Sequence, residues 1–386
     1  MEPVELFGAP VGLYTGKIRC YLRKQGIPFV EKLPTDRGFT KTVLPAIQRF
    51  MNPVLRLADG TIVQDTSDII AFCEARGLAR RPAIPSSPKQ KLVALALDLY
   101  GGEGLSRAAM HYRWSFLDDN ESFLRHEFGL PYRAIGMNDD DAAQRLDAFM
   151  GYLQQHLPSL GIDAASAPSI EEAYEDLLAR LDAHFRTQPY ALGGQPTCAD
   201  YGLVATLWAH LGRDPYPSMQ MKKTAPGVYR WVERMNACDD DVPEFPRTPR
   251  TLPADDAIAP TLLAVLEAMA RDYLPELRAL VAAADAHLAA RPGITAGTPC
   301  TDAPPIRWFC EIAFELRGRR LRSQAQPYTL WMLQRVTDAF RALADDDREA
   351  VRALFAEAGL EELLELRASR RVERSHYLEV WGELQR

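Results

Sequence analysis

Two short stretches of the sequence combine residues that can bind the ends of a peptide-like ligand. The first is Asn52-Pro53, which stands at the start of a predicted strand, where a proline is tolerated because no ladder hydrogen bond is required of it. A cis bond at this point turns the backbone N–H and C=O of Asn52 outward, where an extended peptide can pair with them. We favour this interpretation over an ordinary edge proline because an Asp-Gly hairpin turn follows.

The second stretch is Asp65-Thr66, at the predicted start of a helix. Backbone N–H groups and a hydroxyl at a helix start suit a carboxylate, and the Asp65 side chain adds a negative charge for an ammonium group. The alternative is a plain N-cap, which is the commoner role of such residues. Glutathione combines an extended backbone with an amino-acid zwitterion, and it is therefore the predicted ligand of the two stretches.

A strand–helix–strand unit at the beginning of the chain precedes these stretches. The run VELFGA predicts a strand, apolar residues at helical spacing predict a helix over 15–25, and IPFVEKL predicts a second strand. This order is typical of a βαβ unit with a parallel strand pair. The sequence then predicts a hairpin, with strands over 52–57 and 61–63 around Asp59-Gly60, followed by a helix over 67–75.

The rest of the chain is predicted to be helical. The stretch ARRPAIPSSPKQK is rich in proline and serine and predicts a linker, and no strand is predicted after Val63. Amphipathic segments predict helices over 89–116, 140–157, 170–185, 200–211, 259–290, 328–343 and 347–366. The predicted fold class is α/β plus all-α, with an N-terminal domain at 1–80, an all-helical domain at 88–250 and a helical C-terminal extension at 251–386.

The composition argues against several kinds of protein. The chain has 386 residues and a net charge of −7, whereas a nucleic-acid-binding surface needs a basic excess. The sequence contains no run of 18 apolar residues, so no membrane span is predicted. The start MEPVELFGAP lacks the features of a secretory signal. Six scattered cysteines predict free thiols in a reducing cytoplasm and neither a disulfide framework nor a zinc site. We therefore expect a cytoplasmic protein with no metal, no nucleic-acid partner and no membrane partner.

Two long stretches carry a resemblance to a known family. LFGAPVGLYTGKIRCYLRKQGIPFVEKL and NPVLRLADGTIVQDTSDIIAFCE resemble the thioredoxin-like domain of the glutathione transferase family. Asn52-Pro53 falls where that family has its Val-cis-Pro, and Asp65-Thr66 falls where it has the Glu-Ser or Asp-Ser that holds the γ-glutamyl group. YALGGQPTCADYGLVATLWA resembles the family's helical domain, with Thr197 and Asp200 at its capping box. The resemblance covers residues 4–237, and beyond them PYTLWMLQRV is weakly similar to longer bacterial members.

The sequence departs from this family at the residue that activates the thiol. Most members place a Ser, Cys or Tyr at the end of the first strand or in the turn after it, where the side chain stabilises the glutathione thiolate. The Ser or Cys position falls at Gly12 and the Tyr position near Phe7, and neither side chain can donate a hydrogen bond. The nearest hydroxyls, Tyr14 and Thr15 at the helix start, are the predicted catalytic residues. The alternatives are a packing tyrosine and a helix cap.

A second group of residues lies along one face of the predicted helix over 89–116. Its members are Tyr100, Arg107, His111 and Trp114. In the family this helix borders the second-substrate pocket, and aromatic and basic side chains there suit an apolar or anionic electrophile. Packing with a satisfied histidine is an equally acceptable interpretation of the same pattern.

The predicted function is that of a glutathione transferase-like enzyme, in which the thiolate of bound glutathione attacks a small hydrophobic electrophile. Glutathione is the co-substrate, and the resemblance implies a homodimer with no metal or redox cofactor. The alternative is a non-catalytic glutathione-binding or scaffold protein, because Gly12 replaces the usual thiol-activating residue. A thiol transferase is disfavoured because the cysteine nearest to position 12, Cys20, lies two turns into the helix.

Overall fold

The N-terminal part of the chain folds as a four-stranded sheet with helices in the computed structural model, which describes residues 2–303 and 306–385. Its elements are β1 (Val4–Phe7), α1 (Leu13–Gln25), β2 (Phe29–Lys32), a π-helical turn (Phe39–Val43), α2 (Leu44–Ile47), β3 (Val54–Arg56), β4 (Ile62–Gln64) and α3 (Thr66–Ala75). The strand order is β2-β1-β3-β4, with β1 and β2 parallel and the other two pairs antiparallel. The predicted βαβ unit and hairpin are therefore present, and the thioredoxin-like fold is confirmed.

Local sequence features explain where these elements begin and end. Helix α1 begins after Gly12 and ends at Gly26, whose φ of 65° lets its N–H reach the last carbonyls of the helix. Gly60, with a φ of 87°, makes the turn between β3 and β4. The Asn52–Pro53 bond that precedes β3 is cis, as the sequence predicts.

The middle part of the chain is helical, as predicted. Its elements are α4 (Pro88–Leu99), a π-helical segment (Tyr100–Gly104), α5 (Ser106–Trp114), α6 (Leu117–Ala134), α7 (Asp139–Gln155), a 3₁₀ turn (Leu157–Leu160), α8 (Ala167–Phe185), α9 (Cys198–Ala209), α10 (Pro215–Thr224) and α11 (Pro226–Asn236). The prediction of one uninterrupted helix over 89–116 is wrong, because the π-helical segment divides it. At this segment the backbone lies so close to α9 that a Cβ at Gly101 would be 2.4 Å from the carbonyl carbon of Gly202.

The C-terminal extension contains helices, as predicted, and two β-hairpins. Its elements are α12 (Pro260–Asp272), α13 (Leu274–Ala289), β5 (Cys310–Leu316), β6 (Arg319–Ala325), α14 (Pro327–Arg341), α15 (Asp345–Glu357), a 3₁₀ turn (Glu361–Leu364), β7 (Arg370–Ser375) and β8 (Leu378–Leu384). The prediction that no strand follows Val63 is wrong. In β5 the buried Ile312, Phe314 and Leu316 alternate with more exposed residues, which gives the strand one face to bury. The predicted helix over 259–290 is in fact α12 and α13, which meet at Tyr273.

The extension packs on both earlier parts of the chain through a buried ionic cluster. Asp98 of α4 accepts hydrogen bonds from Lys17 of α1 at 2.6 Å and from Arg335 of α14 at 2.8 Å. Arg335 also donates to the hydroxyl of Ser67 in α3 at 3.2 Å. The cluster holds α14 against α4 and places the extension over the start of α3.

The division into domains at 1–80, 88–250 and 251–386 stays a prediction, since side chains of all three parts share one hydrophobic core. Within the described ranges, 2–303 and 306–385, no helix combines the length and apolar character that a membrane crossing requires.

Candidate functional site

A cleft of about 110 Å³ lies between the start of α3 and the C-terminal extension. One side, here called the N-terminal wall, consists of Tyr14, Arg49 and residues 51–53 and 64–66. The opposite side, the extension wall, consists of residues 299, 301–303, 306–307, 326–328, 374 and 378–379. Two parts of the chain that are far apart in sequence therefore enclose one cavity.

The N-terminal wall brings together five of the six residues predicted to bind or activate glutathione. They are Tyr14, Asn52, Pro53, Asp65 and Thr66. Their roles in binding and catalysis stay predictions. Because all five line the same cleft, they are close enough together to contact one ligand. The sixth residue, Thr15, does not line the cleft.

Asp65 is both a helix cap and a residue of the cleft. Its Oδ1 accepts a hydrogen bond from the backbone N–H of Ser67 at 2.9 Å, which is the N-cap interaction of α3. Its φ of 90° is a conformation that residues other than glycine rarely adopt and that occurs more often at functional sites. Its other oxygen, Oδ2, lies 3.6 Å from Nη1 of Arg374, which is too far for a hydrogen bond. The cap therefore uses only one of the two carboxylate oxygens.

Both walls carry buried polar atoms that find no hydrogen-bond partner within residues 2–303 and 306–385. They are Oδ1 of Asn52, Oγ1 of Thr66 and Nε of Arg49 on the N-terminal wall, and Nε and Nη1 of Arg374 on the extension wall. Thr66 is only 1% exposed. Buried polar atoms are almost always paired in folded proteins, so these atoms are available to pair with polar groups from outside the chain.

The Tyr14 hydroxyl connects the cleft with a carboxylate behind it. It donates to Oε1 of Glu103 at 2.8 Å, while the hydroxyl of Thr329 donates to Oε2 at 3.3 Å. Burial raises the pKa of Tyr14 well above its ordinary value, and the charge of Glu103 raises it further. Burial also raises the pKa of Glu103. Tyr14 is therefore a protonated donor, and Glu103 holds a proton more tightly than an ordinary glutamate does.

Thr15 is packed beneath the turn that precedes α1. It is 1% exposed, and its Oγ1 would lie 3.1 Å from a Cβ placed on Gly12. The threonine thus fills the space into which a side chain at position 12 would point. Its position gives no support to the prediction that it is catalytic.

The extension wall directs aromatic and charged side chains at Asp65. Tyr328, at the start of α14, donates to Oδ1 of Asp65 at 3.1 Å. The guanidinium of Arg374, from β7, lies over the rings of Tyr328 and Trp331, 5.9 Å and 5.3 Å from their centroids. Glu379 of β8 accepts from Arg49 of the N-terminal wall at 3.3 Å. These contacts close one side of the cleft with residues that the sequence analysis did not include.

The four residues predicted to line a second-substrate pocket do not reach this cleft. Tyr100, Arg107, His111 and Trp114 are all buried among other residues. Arg107 pairs with Glu276 at 2.6 Å, and Nε2 of His111 lies 2.8 Å from the Glu171 carboxylate. Trp114 stacks on Phe128 with a centroid distance of 5.9 Å. These contacts agree with the packing interpretation, and a role in substrate binding stays a prediction.

Glu103, Tyr328 and Arg374 are among the residues of the site that were missed from the sequence. Arg374 belongs to a hairpin in which the buried Val372 pairs with Trp381, and this alternation was the available signal. The hairpin turn is His376-Tyr377, with φ values of 49° and 66°. It lacks the Asn-Gly or Asp-Gly pair that usually marks such a turn in a sequence.

The cysteines and acidic residues give no sign of other chemistry at the cleft. The six cysteines are free thiols, and burial raises the pKa of Cys20 to about 12, as expected for a residue of the core. Among residues 2–303 and 306–385, no group of three or more His, Cys, Asp or Glu side chains is arranged to hold a metal ion.

The fold and the cleft together define a class of protein: a thioredoxin-like unit whose cis-proline strand borders a polar cleft, followed by an all-helical unit. The family model described as "Glutathione S-transferase, C-terminal domain" matches residues 140–234, in the helical unit. For this part of the chain, the match confirms the predicted resemblance to the glutathione transferase family.

Solved structures match this chain at low sequence identity and with low TM-scores. The β-etherase LigF from Sphingobium sp. strain SYK-6 is 15% identical, with a TM-score of 0.42, and the match covers 61% of this chain and 95% of LigF. A glutathione S-transferase from Methylobacterium radiotolerans JCM 2831, in complex with glutathione sulfonate, is 18% identical over 67% of this chain and 100% of its own, with a TM-score of 0.36. A glutathione S-transferase from Xanthobacter autotrophicus Py2 is 20% identical, with a TM-score of 0.37, and the match covers 61% of this chain and 93% of that protein. These TM-scores lie below 0.5, so the geometry of the cleft does not follow from them. No curated protein sequence matches the chain at a significant level.

Proposed function

We propose that this protein is a glutathione transferase-like enzyme that binds glutathione in the cleft. The tripeptide lies along Asn52-Pro53, with its γ-glutamyl end at Asp65 and Thr66. The observation that supports this most strongly is the set of buried polar atoms on the cleft that have no partner in the described part of the chain, above all Oγ1 of Thr66 and Oδ1 of Asn52. Glutathione supplies donors and acceptors at both ends of its backbone, and these can pair such atoms.

In the proposed mechanism, Tyr14 and Glu103 activate the thiol in place of a residue at position 12. The thiol proton passes to the Tyr14 oxygen while the phenol proton passes to the Glu103 carboxylate, 2.8 Å away. The products are a thiolate, a neutral Glu103 and an unchanged phenol that now donates to the sulfur. The raised pKa of Glu103, a result of its burial, favours this transfer.

The thiolate then attacks a small hydrophobic electrophile. Apolar side chains of the cleft lining, namely Met51, Ile306 and Leu378, suit such a molecule beside the sulfur. Holding both reactants in one site supplies the proximity that the reaction needs. A pocket at Tyr100, Arg107, His111 and Trp114 is a weaker proposal, because these side chains are buried and Arg107 and His111 pair with carboxylates inside the protein.

A non-catalytic glutathione-binding or scaffold protein is the second candidate. One observation favours it: position 12, where most family members carry the thiol-activating side chain, is glycine. The predicted homodimer and cytoplasmic location are compatible with either function.

Steady-state conjugation of glutathione to 1-chloro-2,4-dinitrobenzene separates the two candidates. We expect Tyr14→Phe and Glu103→Gln each to lower kcat by about 100-fold, the usual size of a lost acid–base contribution, with little change in the KM for glutathione. Tyr152→Phe, an exposed tyrosine on α7, is the matched control and should leave kcat unchanged. Binding of glutathione without turnover would favour the scaffold, and an absence of binding would contradict both functions.

A further inference from the structure

A small polar cavity adjoins the cleft at the hydrogen-bonded pair of Tyr14 and Glu103. Its volume is about 40 Å³, and its polar lining includes Glu103, Glu276 and Ser323. Gln326 lines both this cavity and the cleft, so the two spaces are neighbours. A cavity of this size and polarity can hold water, since one water molecule needs about 10–15 Å³ of such space and at least two polar partners.

Glu103 connects the cleft with the cavity. Its Oε1 accepts a hydrogen bond at 2.8 Å from Tyr14, which lines the cleft. Its Oε2 accepts a hydrogen bond at 3.3 Å from Thr329, which lines the cavity. The two oxygens of one carboxylate therefore serve two different spaces.

The proposed mechanism leaves the thiol proton on Glu103. This proton has to reach solvent in every turnover, because the thioether product does not carry it. A proton that returned through Tyr14 would reach the sulfur again and reverse the activation. Because burial raises the pKa of Glu103, the proton needs an acceptor nearby before it leaves.

Glu276 of α13 gives the cavity such an acceptor. Its Oε1 accepts from Arg107 at 2.6 Å and from the hydroxyl of Ser323 at 3.4 Å. The Glu276 side chain is 16% exposed, so it is in partial contact with solvent. Tyr273 lines the same cavity. Burial raises the pKa of its phenol, and the charges of Glu276 and Glu103 raise it further, as expected for a ring near both carboxylates.

We infer that this cavity is the exit route of the thiol proton: Glu103 gives the proton to a water molecule in the cavity, and that water gives one of its own protons to Glu276, which releases it to solvent. The neutral Glu103 carboxyl first turns about its terminal C–C bond, so that its O–H faces the cavity. The transfer restores the water and both carboxylates. This inference rests on the proposed function, and it makes Glu276 a residue that acts through Glu103 and touches neither reactant.

The test is rapid mixing of the full-length protein with glutathione in a weakly buffered solution of phenol red. The indicator follows the released proton, and ultraviolet absorbance follows the thiolate. In the wild type we expect both signals to appear at the same rate. In Glu276→Gln the thiolate should form as in the wild type, while the proton should be released at least about tenfold more slowly.

Ser323→Val is the second variant, because Glu276→Gln removes the partner of Arg107 and folding could suffer. Valine fills part of the cavity and leaves Glu276 in place, so the same delay is expected. Glu311→Gln, on β5, is the control, since Glu311 forms an exposed pair with Arg322. It should show no delay.

The two signals separate this inference from the proposed function. Proton release that keeps pace with thiolate formation in either folded variant would overturn the inference and leave the proposed function intact. A wild type that forms the thiolate without releasing a proton would also overturn the inference alone. A wild type that forms no thiolate would overturn the proposed thiol activation and, with it, this inference.

Discussion

The two walls of the cleft differ in how the chain builds them. The N-terminal wall comes from residues 14–66, inside one βαβ–hairpin unit. The extension wall comes from residues 299–379, which include a loop, a helix start and a hairpin. Each residue of the first wall is placed by a feature of its own neighbourhood, whereas the second wall exists only because α14 and β7 pack on the rest of the protein.

The two walls face each other at a pair of opposite charges. Asp65 presents a carboxylate oxygen from the N-terminal wall, and Arg374 presents a guanidinium from the extension wall. Side chains from both walls therefore contribute charge to the same cleft. The comparison teaches that a site recognised from the first 80 residues can be incomplete, because its second half is supplied from a distant segment.

The largest expected effect is on stability, at the buried ionic cluster of Asp98, Lys17 and Arg335 that holds the extension against the rest of the chain. In the buried cluster, burial raises the pKa of Asp98, but Lys17 and Arg335 lower it more, so the net pKa lies below the ordinary value. Asp98→Ala leaves two cations buried without their carboxylate, and we expect the free energy of unfolding to fall by about 3–5 kcal/mol. Urea denaturation, followed by tryptophan fluorescence, measures this change.

Asp338→Ala is the matched control for that experiment. It breaks the pair of α14 with Arg371, whose side chains are 40% and 31% exposed, so the loss should be below about 1 kcal/mol. Equal effects of the two substitutions would show that the cluster does not anchor the extension.

An effect of intermediate size is expected within the N-terminal wall, at Thr66. Its hydroxyl is buried and unpaired within the described part of the chain, so Thr66→Val should leave the stability of the free protein unchanged or slightly higher. The same substitution should weaken glutathione binding by about tenfold, because the ligand loses a hydrogen bond to a charged group. Calorimetry and thermal unfolding on the same samples test both parts.

Ser67, the next residue, provides the contrast. Its hydroxyl accepts from Arg335 at 3.2 Å, so Ser67→Ala should lower stability and affect glutathione binding less than Thr66→Val does. The account of the cleft would be wrong if Thr66→Val destabilised the protein and left the affinity intact.

The smallest expected effect is a pH dependence of stability that arises from Asp68, next to Arg374. Burial raises the pKa of Asp68 to about 6, although Arg374, 3.6 Å away, lowers it in part, as does Arg335, while Asp65 and Glu379 raise it. Because the folded protein then holds this proton more tightly than the unfolded chain, stability should rise as the pH falls from 7 to 5. The rise is modest, since the Asp68 side chain is 40% exposed.

Asp68→Asn should remove this component of the pH dependence. The measurement is the urea midpoint of the wild type and the variant at pH 7 and at pH 5. Identical pH dependence in the two proteins would contradict the raised pKa.

Much of the N-terminal wall could be predicted from sequence because its signals are local. The Asp59-Gly60 turn, the N-cap at Asp65 and the proline at the start of β3 each act within a few residues. Their spacing fixes the sheet, and the sheet places Asn52 and Asp65 on the same cleft. Tyr14 was found for the same reason, since it stands in the first turn of α1.

The extension wall could not be predicted in the same way, although its strands carry a period-two pattern. The turn between β5 and β6 is Arg317-Gly318, with φ values of 50° and 75°, and it lacks the Asn-Gly or Asp-Gly pair that usually marks a hairpin in a sequence. Even with both hairpins predicted, their docking depends on long-range packing against α13 and α14, which no local pattern encodes. Glu103 was missed for a related reason: only the fold shows that it lies behind Tyr14.

The central claim is that glutathione binds in this cleft with its γ-glutamyl end at Asp65. Calorimetric titration of glutathione into the wild type and into Asp65→Asn tests it most directly, because asparagine retains the helix cap and removes only the charge. We predict that the wild type binds with a dissociation constant between about 1 μM and 1 mM and that the variant binds at least about tenfold more weakly. No binding by the wild type, or equal binding by both proteins, would contradict the claim.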